Sequence, residues 1–231
     1  MRLLLIGHGR MGRLVEQLAP EHGCEIAGVI TRTSGARAIA EGAFGHVDVA
    51  VDFSLADAVP GSLSQLAAKG INVVIGATGW QAHDAAMRQV ADRTGIGVIA
   101  AANFALGMNL FRLIVADAAR RFAAQPDYGA WIHELHHAKK KDAPSGTALA
   151  IKSAMEHAGF ARPIDVSSTR AGAIPGTHIV GFDGPAESIT LRHDVRDRAV
   201  FAHGALAAAQ WIKGRRGWFT IDDMLSSAAG E

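Results

Sequence analysis

Short apolar runs alternate with longer amphipathic stretches from the first residues of the chain to about residue 104. Each run is almost entirely apolar, as is typical of strands that are covered on both faces of a sheet. The runs occupy residues 3–6, 26–30, 47–53, 73–75 and 98–101. This alternation predicts a parallel sheet whose strands are joined by crossover helices.

Helical patterns fill the intervals between these runs. The first repeats apolar residues at i, i+4 and i+7 from Met11, and another covers about 82–93. The pattern over 56–68 is interrupted at Pro60, which favours a helix start at Ser62. Each interval therefore holds enough helix-forming sequence to connect parallel strands.

A different rhythm begins after residue 104. A longer helical pattern covers 106–124, and strand-like runs follow at about 131–137, 179–182 and 188–195. Further helical patterns lie at 146–157 and 199–212. Strands that follow one another with few crossovers predict a mostly antiparallel second sheet.

The order of these elements predicts an α/β fold of two domains. Residues 1–104 form the first domain together with about 199–231, because the last helix is expected to return to the parallel sheet. Residues of about 105–198 form an α+β domain that is inserted into the first.

Composition and charge narrow the class of protein. Of 231 residues, 49% are hydrophobic and 19% charged, which excludes a disordered chain. The formal net charge of +1 provides no overall attraction to nucleic acid or to an anionic membrane. The single cysteine, Cys24, excludes a disulfide framework and favours a reducing compartment. With no long apolar segment, we expect a cytoplasmic protein without membrane or nucleic-acid partners.

A glycine-rich turn joins the first apolar run to the first helical pattern. Gly7, Gly9 and Gly12 form a G-x-G-x-x-G motif in the strand-turn-helix context that gives it meaning. In this motif the first glycine permits the tight turn, the second lets a pyrophosphate approach the backbone, and the third lets helix and strand pack closely. The turn therefore predicts a Rossmann-type dinucleotide site, the alternative being a glycine turn that binds no ligand.

The residues after the second run bear on which dinucleotide would bind. NAD-binding folds usually place an acidic residue there, whereas this chain has Thr31-Arg32-Thr33-Ser34. The Arg32 guanidinium can bind a 2′-phosphate through two parallel hydrogen bonds, which favours NADPH. The alternative is that Arg32 is an ordinary exposed loop residue.

The segment 133–137 reads His-Glu-Leu-His-His, a literal H-E-x-x-H. On a helix this motif would bind zinc through His133 and His137, with Glu134 as general base of a hydrolase. The flanking residues favour a strand, in which positions four apart lie about 13 Å from each other, too far for one zinc ion. We therefore expect no metal site and keep the zinc hydrolase as the weaker alternative.

The same segment and the residues after it also suit an anion site with a proton donor. Lysines at 139–141 supply positive charge, and a helix that begins after Ser145 offers its N-terminal amides to a carboxylate. His136 or His137 could donate a proton near neutral pH, since an unperturbed imidazole titrates at about 6.5. The alternatives are a solvated lysine patch or a nucleic-acid contact, which the lack of nearby arginines and stacking aromatics disfavours.

Taken together, these motifs resemble the dihydrodipicolinate reductase family, whose members are also called 4-hydroxy-tetrahydrodipicolinate reductases. The matching segments are Gly9-Arg10-Met11-Gly12, Val51-Asp52-Phe53-Ser54, Gly76-Ala77-Thr78-Gly79, Ala101-Ala102-Asn103-Phe104, residues 134–148, Arg170-Ala171-Gly172, Gly176-Thr177-His178 and residues 201–205. The resemblance spans nearly the whole chain. Thr31 departs from the family pattern, in which an acidic residue is common, and the glycine loop is one residue shorter than in many relatives.

The resemblance implies a reaction and the residues that carry it. The reaction is NAD(P)H-dependent reduction of 4-hydroxy-tetrahydrodipicolinate, a small cyclic dicarboxylate, to tetrahydrodipicolinate in lysine and diaminopimelate biosynthesis. His136 resembles the proton donor and Lys140 the catalytic lysine, while His137, Gly146 and Thr147 resemble substrate contacts. The second domain would carry the substrate and form a homotetramer through its sheet.

The resemblance also implies a cofactor site for NADPH or NADH. The residues that would line it, together with Arg32, are Gly7, His8, Gly9, Arg10, Met11, Gly76, Ala77, Thr78, Ala101, Ala102, Asn103 and Phe104. Another NAD(P)-dependent dehydrogenase on the same architecture, and a non-catalytic NAD(P) sensor, are the alternatives within this fold.

Overall fold

The computed structural model describes residues 1–34, 37–42 and 44–228. The chain forms two compact units. The first consists of Met1–Ala105 and Ala199–Glu231, and the second of Leu106–Arg198. The second unit is thus inserted into the first in sequence.

The first unit contains a six-stranded parallel sheet. The apolar runs predicted five of its strands, and the sixth, near the C-terminus, was not predicted. Strands and helices are numbered in chain order through the whole protein. The strands of this sheet are β1 (Arg2–Ile6), β2 (Glu25–Ile30), β3 (Val49–Asp52), β4 (Asn72–Ile75), β5 (Gly97–Ala100) and β10 (Gly217–Phe219). They are arranged in the order β10-β5-β4-β3-β1-β2, and every pairing is parallel. The order of the chain reverses between β1 and β3, so a crevice is expected at their carboxyl ends.

Helices precede or follow the strands of this sheet along the chain. They are α1 (Arg10–Leu18), α2 (Arg37–Glu41), α3 (Val59–Ala68), α4 (Asp84–Thr94), α7 (Ala199–Ile212) and α8 (Ile221–Ala228). The expected start of α3 at Ser62 was wrong. Pro60 lies in the first turn of α3, where a missing N–H costs nothing because it has no partner in the helix.

Helix α7 belongs to the first unit, and its packing depends on a glycine. A Cβ atom at Gly204 would lie only 1.7 Å from the carbonyl oxygen of Phe104, so any side chain there would displace the backbone after β5. The side chain of Asn72 ties the same region together, since its Nδ2 donates to the carbonyl of Ile212 (2.7 Å) and its Oδ1 accepts from the N–H of Gly97 (2.8 Å). The end of α7 is therefore fixed against the parallel sheet.

The second unit consists of two helices and a four-stranded sheet. Its elements are α5 (Leu106–Ala123), β6 (Gly129–His136), α6 (Gly146–His157), β7 (Ile164–Arg170), β8 (Thr177–Asp183) and β9 (Ser188–Asp194). The strand order is β7-β6-β8-β9, in which β6 pairs with β7 in parallel and the other two pairings are antiparallel. Buried residues of β6, β8 and the helices, among them Ile132, Val180 and Ile151, form its core.

Among the residues that the structure describes, no helix combines the length and the apolar character that crossing a bilayer requires.

Candidate functional site

A cavity of about 620 Å³ lies in the first unit at the carboxyl ends of β1, β2 and β3. It is lined by the glycine loop at residues 7–9, by Arg13, by the turn at 31–33 and by residues 53–55. This is the place where strand order reverses, which is where open parallel sheets bind ligands.

The three motif glycines meet different steric demands. Gly7 has a φ of +89°, and a Cβ there would lie 2.7 Å from the carbonyl oxygen of Phe53. A Cβ at Gly12 would lie 2.1 Å from the carbonyl oxygen of Gly7. No atom lies within 4 Å of a Cβ built at Gly9, which precedes the first turn of α1 and lines the cavity. Gly7 and Gly12 are thus required by packing, whereas Gly9 leaves backbone accessible to a ligand.

The turn that carries Arg32 is closed by its neighbours. The N–H of Thr31 donates to Oγ of Ser34 (2.8 Å), and the Ser34 hydroxyl donates to the carbonyl of Thr31 (3.1 Å). Arg32 is exposed at this turn and lines the cavity. The turn after β2 therefore contributes a guanidinium group to the lining of the cavity.

Arg13 is a cavity residue that the sequence did not reveal. It follows Gly9 by one helical turn, and its side chain is exposed at the cavity that also contains Arg32. The available signal was its spacing from the glycine loop, because a residue four positions after the start of a helix lies on the same face. Two guanidinium groups therefore provide the local positive charge of this cavity.

Other predicted residues of the glycine loop lie differently. His8 lines the cavity, and its Nε2 forms a hydrogen bond of 2.7 Å with the carboxylate of Glu16. Arg10 is exposed at the first position of α1, and Met11 is half-buried. Neither of these two is among the residues that line the cavity.

The predicted residues after β4 and β5 form the adjoining edge of the sheet. Ala77 is buried and the Thr78 side chain is exposed, while a Cβ at Gly76 would lie 2.1 Å from the ring of Phe53. The turn after β5 contains Ala101, which is half-buried, and Ala102, which is exposed.

The last two residues of that turn contribute mainly to its structure. Oδ1 of Asn103 accepts from the N–H of Ala105 (2.8 Å), and Phe104 is a buried core residue. A role for Phe104 in cofactor binding would therefore fall to its backbone.

In the second unit, the chemical side chains gather at the carboxyl end of β6. His136 is the last residue of this strand, and its Nδ1 forms a hydrogen bond with Oε2 of Glu134, two positions earlier on the same face. The Glu134 side chain is 0% exposed and also accepts two hydrogen bonds from Arg170, of 3.0 Å and 2.6 Å. The sequence placed Glu134 in a zinc motif and gave no sign of its pairing with Arg170, which lies 36 residues further along.

Burial and pairing shift the titration of both groups. Burial alone would favour the protonated carboxyl, but hydrogen bonds from Arg170 and other neighbours outweigh it and lower the pKa of Glu134 to about 2. Burial also lowers the pKa of His136 from its usual value of 6.5, and Glu134 offsets part of that shift. Glu134 is therefore ionised at neutral pH, and His136 is mostly uncharged.

The loop after β6 contains the predicted catalytic lysine. Nζ of Lys140 lies 2.8 Å from Oδ1 of Asp142, whereas Lys139 and Lys141 are exposed. The three lysines therefore differ in environment, and only Lys140 is partly enclosed.

Helix α6 begins directly after this loop. Ser145 is its N-cap, with Oγ accepting from the N–H of Ala148 (3.2 Å). Gly146 is exposed and Thr147 half-buried in the first turn. The predicted substrate residues 146 and 147 thus lie at a helix N-terminus, which favours a bound anion.

Two further histidines complete this region. His137 is half-buried immediately after β6. His178 on β8 was named from the sequence only within a matching segment and was given no site role. It is buried, its Nε2 lies 3.3 Å from Oγ of Ser145, and its ring packs edge-on against that of His136. Burial lowers the pKa of His178 to about 4, so it is neutral at physiological pH.

The H-E-x-x-H residues do not share a helix face, because residues up to His136 form a strand. Nε2 of His133 forms a hydrogen bond of 3.0 Å with the Thr169 hydroxyl. Within residues 1–34, 37–42 and 44–228, no group of three or more potential ligands has the arrangement of a metal site.

Comparison with known proteins gives the family. The model "Dihydrodipicolinate reductase, N-terminus" matches residues 1–104, and "Dihydrodipicolinate reductase, C-terminus" matches residues 107–225. A 4-hydroxy-tetrahydrodipicolinate reductase of Acidiphilium cryptum is 37% identical over 94% of each chain. One of Stenotrophomonas maltophilia is also 37% identical, over 97% of this chain and 98% of its own.

A solved structure has the same fold. The dipicolinate-bound dihydrodipicolinate reductase from Paenisporosarcina sp. TG-14 superposes with a TM-score of 0.81, over 95% of this chain and 97% of its own, at 20% identity. Family models over nearly the entire sequence and full-length relatives at this level of identity leave one assignment. The chain belongs to the dihydrodipicolinate reductase family and is an NAD(P)H-dependent oxidoreductase.

Proposed function

We propose that the protein reduces 4-hydroxy-tetrahydrodipicolinate to tetrahydrodipicolinate in lysine and diaminopimelate biosynthesis. The observation that carries the proposal is the grouping of His136, Lys140 and the N-terminus of α6 within one short segment. This segment offers a proton donor and two positive binding elements to a dianionic ring. Relatives of similar length carry the name of this reaction, and one relative was solved with dipicolinate, a cyclic dicarboxylate.

The first unit would hold the cofactor. Gly9 leaves the backbone before α1 open to a pyrophosphate, and Arg13 and Arg32 line the same cavity. When bound, NAD(P)H supplies the hydride that the reaction consumes. Two guanidinium groups in the cavity support NADPH as the preferred form, because a 2′-phosphate adds negative charge that they can bind.

The second unit would bind the dicarboxylate. Lys140, the N–H group of Gly146 and the Thr147 side chain provide positive charge and hydrogen-bond donors to a carboxylate. His137 is proposed as a further substrate contact. A substrate of two negative charges requires this local field, because the net charge of the whole chain is only +1.

His136 would supply the proton. Its Nδ1 is engaged with Glu134, so Nε2 is the nitrogen that can face the substrate. Protonation of the carbon next to the one that accepts hydride completes the reduction.

A homotetramer assembled through the second-unit sheet is also part of the proposal. Trp131, Leu135 and Ile179 are half-buried on the face of this sheet opposite Glu134, where side chains alternate away from the core. Light scattering on the protein as it elutes from a size-exclusion column should give the mass of four chains. The substitution Ile179→Glu should reduce this mass. A monomeric wild type would contradict this assembly.

The reaction can be tested directly. Substrate is generated in situ from pyruvate and aspartate semialdehyde by the preceding condensing enzyme, and nicotinamide oxidation is followed at 340 nm. Absorbance should fall only when both precursors, the condensing enzyme and this protein are present. If absorbance falls with neither NADPH nor NADH, the proposed function is wrong.

A further inference from the structure

Glu134 is a fully buried carboxylate to which the proposed reaction gives no role. Its Oε1 accepts hydrogen bonds from Nη2 of Arg170 (2.6 Å) and from the N–H of Ser145 (3.2 Å). Its Oε2 accepts from Nη1 of Arg170 (3.0 Å) and from Nδ1 of His136. Burying a carboxylate is costly unless it is paired and hydrogen-bonded, and here four donors satisfy it.

This bond determines which ring nitrogen of His136 carries a proton when the ring is neutral. An ionised carboxylate can only accept a hydrogen bond, so Nδ1 must be the donor. Nε2 is then left free to exchange a proton with a ligand. The same arrangement is used in sites where a carboxylate orients a functional histidine.

The surroundings of Nε2 fit this direction of action. A Cβ built at Gly176 would lie 3.2 Å from Nε2 of His136, a distance at which a side chain would crowd the nitrogen. The φ of Gly176 is +153°, which side-chain-bearing residues rarely adopt. Glycine at this position therefore keeps the Nε2 edge of the ring open, while Glu134 holds the opposite edge.

Glu134 is itself held by a second layer of contacts. Nη2 of Arg170 also donates to the carbonyl of Asp142 (2.5 Å), and Nη1 donates to that of Thr169 (2.9 Å). Through the Ser145 amide, Glu134 is attached to the start of α6 as well. The carboxylate thus ties the proton donor to both the lysine loop and the helix N-terminus that are proposed to bind substrate.

We propose that Glu134 is the positioning residue that fixes the tautomer and orientation of His136 and presents its Nε2 to the substrate. The proposal rests on the proposed function. Its alternative is that Glu134 only stabilises the fold by pairing with Arg170.

Other charged and titratable groups face His136 and must be considered in any pH measurement. They are Arg170 on β7, His178 on β8 and Lys140 in the loop after β6, while His193 on β9 acts electrostatically on His178. The charges of Lys140 and Arg170 lower the pKa of His136, and Glu134 is the group that raises it.

The test replaces the carboxylate with its neutral isostere. Glu134→Gln can present either an oxygen or an NH₂ to Nδ1, so it no longer dictates the tautomer. We expect kcat to fall by about 10- to 100-fold with KM changed much less, as for other residues that orient a functional histidine. The ionisation of His136, measured by NMR, should move to lower pH because a stabilising negative charge is lost.

The direct readout is the ¹⁵N spectrum of the histidine rings in the intact protein, assigned with His136→Gln. The wild type should show His136 with its proton on Nδ1, and Glu134→Gln should show a mixture. The matched control is His133→Gln, on the same strand, which loses the hydrogen bond to Thr169 and should leave both kcat and the His136 signals unchanged. If His136 keeps the wild-type tautomer in Glu134→Gln and kcat is unchanged, the proposal is wrong.

A second variant covers the case in which Glu134→Gln does not fold. Glu134→Asp keeps the charge for Arg170 but is one methylene too short to hold Nδ1 at the same time. A loss of kcat with a mixed His136 tautomer is expected, and an unchanged tautomer and rate would again overturn the proposal. Because the NMR readout needs no turnover, failure of the positioning role and failure of the proposed reaction are seen separately.

Discussion

The ammonium group of Lys140 lies 2.8 Å from Oδ1 of Asp142, and the other oxygen of that carboxylate accepts a hydrogen bond of 3.4 Å from the N–H of Gly146. The pKa of Asp142 is lowered, chiefly by its hydrogen bond with Lys140. The chain's own carboxylate thus occupies two of the groups that we propose for a substrate carboxylate. A dicarboxylate ligand must compete with it.

Asp142→Asn should therefore strengthen the binding of dipicolinate. An exposed ion pair contributes about 0.2–1 kcal/mol, so the Kd measured by calorimetry should fall by roughly 1.5- to 5-fold. Asp84→Asn, which removes an exposed partner of Arg88 in the first unit, is the matched control and should leave the Kd unchanged. Weaker binding by Asp142→Asn would show that this carboxylate supports the site instead.

Substitutions of Lys140 and His136 should separate binding from proton donation. Lys140→Ala should raise KM and lower kcat, because a charge contact acts in both the ground state and the transition state. His136→Gln should lower kcat by about 10² to 10⁴ with a smaller change in KM, the usual range for a general acid. Steady-state kinetics on both variants decide this, and near-normal kcat in His136→Gln would transfer the role to His137 or to water.

The pH dependence follows from the shifted pKa of His136. Burial lowers this pKa below 6.5, and only the protonated ring can donate. As the pH rises through the pKa, the imidazolium is lost, so kcat/KM should fall with rising pH in the acidic range. A profile in which the descending limb lies above 7 would contradict the assignment, as would the same limb in His136→Gln.

Arg32→Ala should weaken NADPH binding selectively. A charge-assisted hydrogen bond contributes about 1.5–3 kcal/mol, so the Kd for NADPH should rise by roughly tenfold or more while that for NADH changes little. Fluorescence titration of each cofactor measures this, with Arg37→Ala as a control, since Arg37 pairs with Glu41 on α2. Equal losses for both cofactors would exclude recognition of the 2′-phosphate by Arg32.

Asp52 gives a prediction for stability. Burial raises its pKa to about 6 from a usual 3.8, so the native state binds more protons than the unfolded state between these values. Stability is therefore lost as the pH rises through this window, and the loss is complete above about pH 6. In urea unfolding at pH 4.5 and 7.5, the wild type should lose about 2 kcal/mol more than Asp52→Asn does. If the free energy of unfolding changes with pH equally in the wild type and in Asp52→Asn, Asp52 does not contribute to the pH dependence of stability.

The strands of the parallel sheet could be predicted because burial on both faces leaves an almost uninterrupted apolar run. Two strands lacked that signal: β7 contains the polar sequence Ser167-Ser168-Thr169 and has only one buried residue, and β10 has only three residues, all half-buried. The hydrophobic pattern alone does not distinguish a polar strand such as β7, or a strand as short as β10, from a loop.

The candidate site could likewise be predicted only in part. Gly7 and Gly12 could be predicted because a local turn imposes their requirements. The role of Glu134 could not, because Arg170 reaches it only through the parallel register of β6 and β7, in which His136 is paired with Arg170. The residues around Glu134 disfavour a zinc motif, but nothing in the local sequence identifies the residue of the neighbouring strand that pairs with Glu134.

The parallel pairing of β6 and β7 makes the second unit a partial repetition of the first in architecture. In both units a strand ends, a loop follows, and a helix begins whose backbone N–H groups point at the loop: Gly9 precedes α1, and Ser145 precedes α6. Backbone donors cannot be removed by changing side chains. For the anion sites that we propose, changes in the side chains around either loop would alter which anion is selected, while the backbone donors would remain. In each loop the backbone N–H groups would thus provide the binding of an anion, and the side chains would determine which anion binds.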